Sequence, residues 1–368
     1  VSAASAAVAP VVPSSRPVAY WLFGMSGLVA GMISIGGITR LTRSGLSMTD
    51  WKLQGSLPPM NQEEWMTEFD RYKTFPEYQQ RQNMTLDEFK YIFFWEYSHR
   101  MMGRGLGLAF ALPGAYFAAR GMIPRHLYPR MLGLFSLGGT QGLVGWWMVK
   151  SGLSQDVDRD REIRVTPYRL STHLALALTT FSLLAWTALD ILNPEQKLKD
   201  IASKTSSQVI EHCRRLRGPA ALCFGLVGVT ALSGAFVAGN DAGRAYNTFP
   251  KMGDNWIPPK EELFEKYPMW RNVFESTALV QLDHRIMAML TLTTIATTTA
   301  MAVRGGYFAL MPTGLRHGIK GATAVSVAQV SLGITTLLTY VPIGLAASHQ
   351  IGSVVLLSTM VGLNHSLK

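Results

Sequence analysis

Eight stretches of this chain are apolar and long enough to cross about 30 Å of hydrocarbon, a distance that takes roughly 20 helical residues. They lie near residues 18–39, 92–118, 131–149, 168–190, 218–239, 277–303, 318–340 and 343–364. Charged and turn-forming residues gather between them, above all in the long segments 39–91 and 240–276. The second and sixth stretches carry charges in their first turns, so hydropathy alone scores them lower. The pattern predicts an all-α membrane protein with eight transmembrane helices.

The second half of the chain repeats the first. Gly27-Leu28-Val29-Ala30 is matched by Gly225-Leu226-Val227-Gly228 at an offset of 198, and Ser44-Gly45-Leu46-Ser47 by Ala242-Gly243-Arg244-Ala245 at the same offset. Pro58-Pro59 and Glu63-Glu64-Trp65 answer Pro258-Pro259 and Glu261-Glu262-Leu263. His99-Arg100-Met101-Met102 answers His284-Arg285-Ile286-Met287 at an offset of 185, and Gln141 with Gly145 answers Gln329 with Gly333. A period this long is no solenoid; it marks a duplicated domain. Four helices per half is an even number, so the repeats are parallel, related by an axis along the membrane normal. The expected organisation is two pseudo-symmetric four-helix bundles, 18–190 and 218–364, joined by a basic inner linker at 191–217 and preceded by a tail at 1–17.

Charge adds orientation. Charged residues are 16% of the chain, against about 25% in a typical soluble domain. Segments 1–17, 118–131, 190–217, 303–320 and the last residue hold 14 basic and 4 acidic residues, whereas the opposite loops with their flanking helix ends hold 17 and 18. The net charge of +10 therefore sits on one face, the matrix or cytoplasmic side by the positive-inside rule. It is a topology signal, and no nucleic-acid partner is expected from it. Residues 1–49 contain no acid, and 1–17 resembles the tail of an organellar transit peptide. Cys213 and Cys223 lie away from the outer loops, so no structural disulfide is implied.

Histidine carries the candidate chemistry. His126, His212, His317 and His365 fall in inner loops or at the chain end and read as interfacial residues. His99, His173, His284 and His349 instead open apolar segments at the outer face, two per half at matching places. Ionisable groups inside a helix bundle are costly and usually functional. Two histidines on two helices, without cysteine and with one nearby carboxylate, suit bis-imidazole haem iron better than a zinc or di-iron cage. Gly27-x-x-x-Gly31, Gly138-x-x-x-Gly142 and Gly36-Gly37 let helices approach closely. Arg100 and Arg285, next to the ligands, suit haem propionates or plain snorkelling to the interface. Trp65, Phe69 and Tyr72, with Phe264, Tyr267 and Trp270 in the other half, suit either lids over the sites or amphipathic packing at the membrane surface.

The halves differ in one place. Glu96 lies one helical turn before His99, and its counterpart at the 185 offset is Gln281. A carboxylate there acts as a base or stabilises positive charge at the edge of a bound macrocycle, while an amide only hydrogen-bonds. The N-terminal half thus reads as reactive and the C-terminal half as a fixed cofactor site.

Gly36-Gly37-Ile38-Thr39-Arg40-Leu41-Thr42-Arg43-Ser44-Gly45-Leu46-Ser47, Glu96-Tyr97-Ser98-His99-Arg100 and Leu282-Asp283-His284-Arg285 resemble the haem A synthase family, in its mitochondrial form, over roughly residues 18–364. The resemblance implies oxidation of the position-8 methyl of haem O to the formyl group of haem A, for cytochrome c oxidase assembly. It implies that His99, His173 and Glu96 serve the substrate haem and that His284 and His349 hold a haem b cofactor. It also implies a multi-pass protein of the mitochondrial inner membrane, with termini toward the matrix and haem sites toward the intermembrane space. The implied partners are haem O, membrane lipid, an external electron donor such as a ferredoxin system, further copies of the chain and oxidase assembly factors. Many bacterial members carry a cysteine pair in the first outer loop; residues 39–91 have none, which speaks against a thiol role. Two rival classes are a dihaem b-type electron carrier, which has no need of a carboxylate in one half only, and a transporter, whose polar groups would lie near the bilayer midplane.

Overall fold

The computed structural model describes residues 15–48, 50, 52, 54–153 and 163–368. Residues 1–14 of the expected tail lie outside the described residues. Among the described residues the chain is helical, with one isolated bridge between Met252 and Asn255 and no strand. The long helices are α1 (Arg16–Leu41), α2 (Leu86–Ala119), α3 (Tyr128–Lys150), α4 (Pro167–Leu192), α5 (Ser207–Gly239), α6 (Thr277–Val303), α7 (Thr313–Leu338) and α8 (Ile343–Ser366).

Their starts follow from local chemistry. Pro17, Pro129 and Pro167 occupy first turns, where a missing N–H costs nothing. Ser206 and Ser276 accept hydrogen bonds from backbone N–H groups three residues on. Thr85 and Glu88 form a reciprocal capping box that starts α2 at Leu86, six residues before the apolar run expected at 92. The basic segment 191–217 is itself largely helical, as Glu195–Ser203 and the first turns of α5.

Six of the long helices, α1 and α4 to α8, are long and apolar enough to cross a membrane. α2 and α3 fall outside that set for visible reasons. α2 carries Asp87, Glu88, Lys90, Glu96, Arg100 and Arg104 along its first half. α3 spends Gly133, Gly138, Gly139, Gly142 and Gly145 where leucines would raise its hydropathy.

The same helix pairs meet in each half: α1 on α2 and α4 with α3 on α4, then α5 on α6 and α8 with α7 on α8. Between the halves α1 packs on α8, and α4 packs on both α5 and α8. The buried core follows that seam, with Leu22, Val29 and Ile33 of α1, Phe181 and Leu184 of α4, Leu216 and Val227 of α5, and Leu357 and Met360 of α8. In lipid, helices gain little by hiding apolar area, so close van der Waals packing holds them. Ala19, Ala188 and Ala220 at 0% exposure supply small contacts of that kind.

Ionic ties close both ends of the seam. At one end the Asp190 carboxylate accepts from Arg130 at 2.6 Å, Lys368 at 2.7 Å and His365 Nε2 at 3.1 Å, joining α3, α4 and the C-terminus. At the other, Arg40 donates to the Ala238 carbonyl at 2.8 Å and Arg164 pairs with Asp241 at 2.7 Å. Arg43 and Asp241, 198 residues apart, both turn the chain with positive φ (54° and 51°) directly after the first helix of their half.

The loop between α1 and α2 has its own small core. Phe69 and Tyr72, on the helix Gln62–Lys73, are buried against Phe89 and Phe93 of α2, and Trp65 packs beside them. Packing, rather than a lid, accounts for these aromatics. Their counterparts Phe264, Tyr267 and Trp270 are 45%, 87% and 59% exposed, so the two loops are not equivalent. Glu77 is buried in this core and accepts from the Tyr72 hydroxyl at 3.1 Å, with Arg81 at 3.8 Å. Burial raises its carboxyl from 4.5 to about 7, against the pull of Arg81. A folded pKa above the unfolded one means that the loop is most stable below pH 4.5 and loses stability as pH rises through 7. Limited proteolysis of this loop between pH 5 and 8 should therefore speed up with pH in the native protein, and the slope should flatten in Glu77→Gln. An unchanged slope in the variant would refute the assignment.

Candidate functional site

His99, His173, His284 and His349 meet in two pairs. The His99 and His173 rings lie 6.5 Å apart between centroids at 76°, and the His284 and His349 rings 6.5 Å apart at 88°. Two imidazoles on opposite sides of one metal, with bonds of about 2.0–2.1 Å and ring nitrogens about 1.2 Å from their centroids, need roughly 6.5 Å. His173, His284 and His349 each sit about 9–11 Å along their helices from the N-terminal ends, at 1.5 Å per residue. Among the described residues no three His, Cys, Asp or Glu side chains converge on a metal site. The donors come as pairs.

Each ring rests in a notch where a Cβ is missing. A Cβ on Gly36 would lie 3.1 Å from the His99 ring, on Gly145 3.0 Å from His173, on Gly234 3.2 Å from His284, and on Gly333 2.7 Å from His349. Those are contacts that real Cβ atoms rarely or never make. One turn before two of the notches, Gln141 and Gln329 donate to the backbone carbonyls of His173 and His349 at 3.0 and 2.8 Å and reach their rings at 3.3 and 3.2 Å. His173 Nδ1 is buried and has no hydrogen-bond partner, a cost that a bound group would relieve. The open gap between rings, the glycine cradles and the imidazole-only donor set all fit a bis-histidine haem.

Sequence reasoning found the histidines, and among the glycines it singled out for close approach Gly36 and Gly37 do make one, to His99 and Gln350. A Cβ on Gly27, Gly31, Gly138 or Gly142 would meet nothing within 4 Å, so these four make no close helix contact. Two of the other notch residues were readable only as repeat markers: Gly145 with Gln141, and Gly333 with Gln329. A spacing of four puts each amide and notch on one helix face, toward the histidine of the next helix.

Glu96 is 2% exposed and fully hydrogen-bonded. One oxygen accepts from Ser47 Oγ at 2.7 Å and the Met48 N–H at 2.8 Å; the other accepts from Arg100 at 2.6 Å. Arg100 also donates to the Met48 and Asp50 carbonyls. In the other half Arg285 donates to the Tyr246, Thr248 and Lys251 carbonyls and to Gln281 Oε1, while Gln281 Nε2 donates to the Ala242 carbonyl at 2.6 Å. Both arginines thus clamp the loop that follows the first helix of their half. That clamp is the use the structure shows for both side chains. Glu96 brings a carboxylate into its clamp where Gln281 brings an amide.

The remaining histidines differ in surroundings. His212 Nε2 lies 3.2 Å from the Ala302 carbonyl, and His365 packs on Trp186 and binds Asp190. Cys213 and Cys223 are free, the latter with Sγ 3.4 Å from Thr298 Oγ1.

Residues 19–361 match the COX15-CtaA family model, described as cytochrome oxidase assembly protein. The chain belongs to this family. Among curated members it is 48% identical to the heme A synthase COX15 of Arabidopsis thaliana, over 95% of this chain and 74% of that one. It is 47% identical to the heme A synthase COX15 of Bos taurus, over 98% and 84%. A heme A synthase-mitochondrial ferredoxin fusion protein of Schizosaccharomyces pombe is 42% identical, over 96% of this chain and 60% of the fusion. The COX15-CtaA match covers both histidine pairs, all four glycine notches and Glu96.

Filling a notch tests the site without touching a ligand. Gly333→Ala should displace the His349 ring and remove most haem from the C-terminal half, and Gly145→Ala should do the same to the N-terminal half. A pyridine haemochrome assay of purified protein reads both, and full haem content in Gly333→Ala would show that the notch does not position the ring.

Proposed function

We propose that this protein is a haem A synthase, an oxidoreductase that takes the position-8 methyl of haem O to a formyl group. Family membership supports the activity, and one observation supports the division of labour: two like imidazole pairs, with a buried carboxylate beside one of them only. His99 and His173 hold the substrate haem; His284 and His349 hold a haem b. Haem b, when bound, supplies a one-electron relay between an external donor and the substrate half. A ferredoxin is the natural donor, since one relative is fused to one.

What the chain's own residues contribute is position and proton handling. The glycine notches and Gln141 hold the axial rings. Converting a methyl group to a formyl group takes four electrons from carbon and adds one oxygen atom, with an external oxidant such as dioxygen taking the electrons, and a base nearby can accept the protons that carbon loses. Glu96 is that base, or the charge that stabilises a cationic carbon. Three donors surround it in a place where an isolated carboxylate would be costly. Gln281 meets the same clamp with an amide and can do neither.

The wider arrangement follows the same reading. α2 and α3 cross the membrane with the other six, giving eight spans in two parallel four-helix bundles, 18–190 and 218–364. The repeated helix pairs, the matched positive-φ residues Arg43 and Asp241, and the equivalent arginine clamps support that symmetry. The protein sits in the mitochondrial inner membrane with the basic face and the termini toward the matrix. Both haem sites then lie toward the intermembrane space. Further copies of the chain and oxidase assembly factors are its expected companions there.

Two variants test the assignments. His284→Ala should abolish low-spin haem b absorption; a wild-type spectrum at full haem content would overturn the cofactor site. Glu96→Gln should keep haem b and bind haem O, while haem A formed per mole of haem b falls by roughly 10²-fold or more. Near-normal turnover per haem b would remove the carboxylate from the chemistry and leave it as part of the loop clamp. A dihaem carrier would yield haem b alone in the pyridine haemochrome of wild-type protein, without haem O or haem A.

A further inference from the structure

The first ligands of the two halves are held differently. His284 Nδ1 lies 2.7 Å from Ser233 Oγ, and the same hydroxyl donates to the Thr230 carbonyl at 2.8 Å. A serine hydroxyl has one proton. Since that proton is given to Thr230, Ser233 must accept from Nδ1–H. His284 is thereby fixed as the Nδ1–H tautomer, with the Nε2 lone pair free for a metal. At the 198 offset, Ser233 corresponds to Ile35, and Gly234 to Gly36. Both glycines cradle the first ligand of their half, so the correspondence holds in space. Ile35 has no hydroxyl, and among the described residues no hydrogen bond reaches the His99 ring. The rings also sit differently in their notches: the glycine faces Cε1 of His284 but Nε2 of His99.

We propose that Ser233 is a positioning residue that makes the C-terminal haem permanent, and that Ile35 in the equivalent place leaves His99 free to release its haem. A hydrogen bond to the far nitrogen of a ligating imidazole fixes the ring and raises its basicity. A more basic ligand favours ferric iron. The cofactor half needs that hold; a half that must admit haem O and let haem A go is better without it. This inference rests on the haem assignment above.

The test uses purified full-length protein with its native haem. Ser233→Ala should raise the midpoint potential of the low-spin haem b by about a tenfold change in the ferric/ferrous equilibrium, some 59 mV for one electron. It should also let the ferrous haem bind carbon monoxide, which the native bis-imidazole iron resists. Ser233→Thr keeps a hydroxyl and should restore both properties. Haem loss in Ser233→Ala that Ser233→Thr repairs supports the proposal equally. Unchanged potential and carbon monoxide binding in Ser233→Ala would overturn it, as would a Ser233→Thr protein that behaves like the alanine variant. Ile35→Ser should increase the haem O and haem A that co-purify at constant haem b, and unchanged retention would overturn the part concerning His99. Native protein without low-spin haem b would instead defeat the haem assignment itself, so the two failures are distinguishable.

Discussion

Everything in this molecule depends on holding two imidazole rings at a fixed separation from two helices joined through a third: α1 packs on both α2 and α4, and α5 on both α6 and α8. The centroid separation is 6.5 Å in both halves, although the helices carrying the rings belong to different contact pairs. A side chain can be held that closely only if the opposing backbone recedes, which is what Gly36, Gly145, Gly234 and Gly333 provide. The neighbouring polar groups then find their places from the rings outward. Gln141 and Gln329 bind the histidine carbonyls, and Arg100 and Arg285 tie down the loops beside the first ligands.

The clamps show why Glu96 merits a chemical role. Two solutions to one structural problem stand side by side. Gln281 ties Arg285 to its loop through a neutral amide, so a carboxylate is not needed to build the clamp. A buried ion costs several kcal/mol in desolvation unless donors surround it. The N-terminal half accepts that cost and supplies Ser47, the Met48 N–H and Arg100 to offset it. Since an amide completes the same clamp in the other half, the clamp alone gives no reason for a carboxylate, which favours a chemical role for Glu96.

Much of this was legible in the residues, and the parts that were not share a cause. The histidine pairs, the repeat and the Glu96–Gln281 difference are visible because position in a duplicated chain carries meaning without any packing. Glycine does not announce its purpose. Gly27 and Gly31 have the spacing of a helix contact and meet open space, while Gly145 and Gly333 lie in less telling surroundings and cradle ligands. Ser233 looks like any serine in a membrane helix until its proton is followed to Thr230. Hydropathy misplaced the start of α2 because the capping box of Thr85 and Glu88 is polar, and it undervalued α3 because glycine scores near zero. Helix existence follows from apolar content, but close approach follows from which atoms are missing.

The two sites are also joined. Gly36 cradles His99 of the first half, and Gly37 beside it leaves room for the Gln350 amide of the second. Gln350 follows His349 in the chain, and it donates to the Ile33 carbonyl of α1 at 3.2 Å. One short run of α1 therefore touches a ligand of one site and the neighbour of a ligand of the other. α4 and α8, which carry His173 and His349, pack on each other across the same seam. A shift of α1 that opened the His99 notch would pull on Gln350 and hence on the helix holding His349. Packed interfaces resist such small displacements, so the two histidine pairs are mechanically joined through α1 and α8.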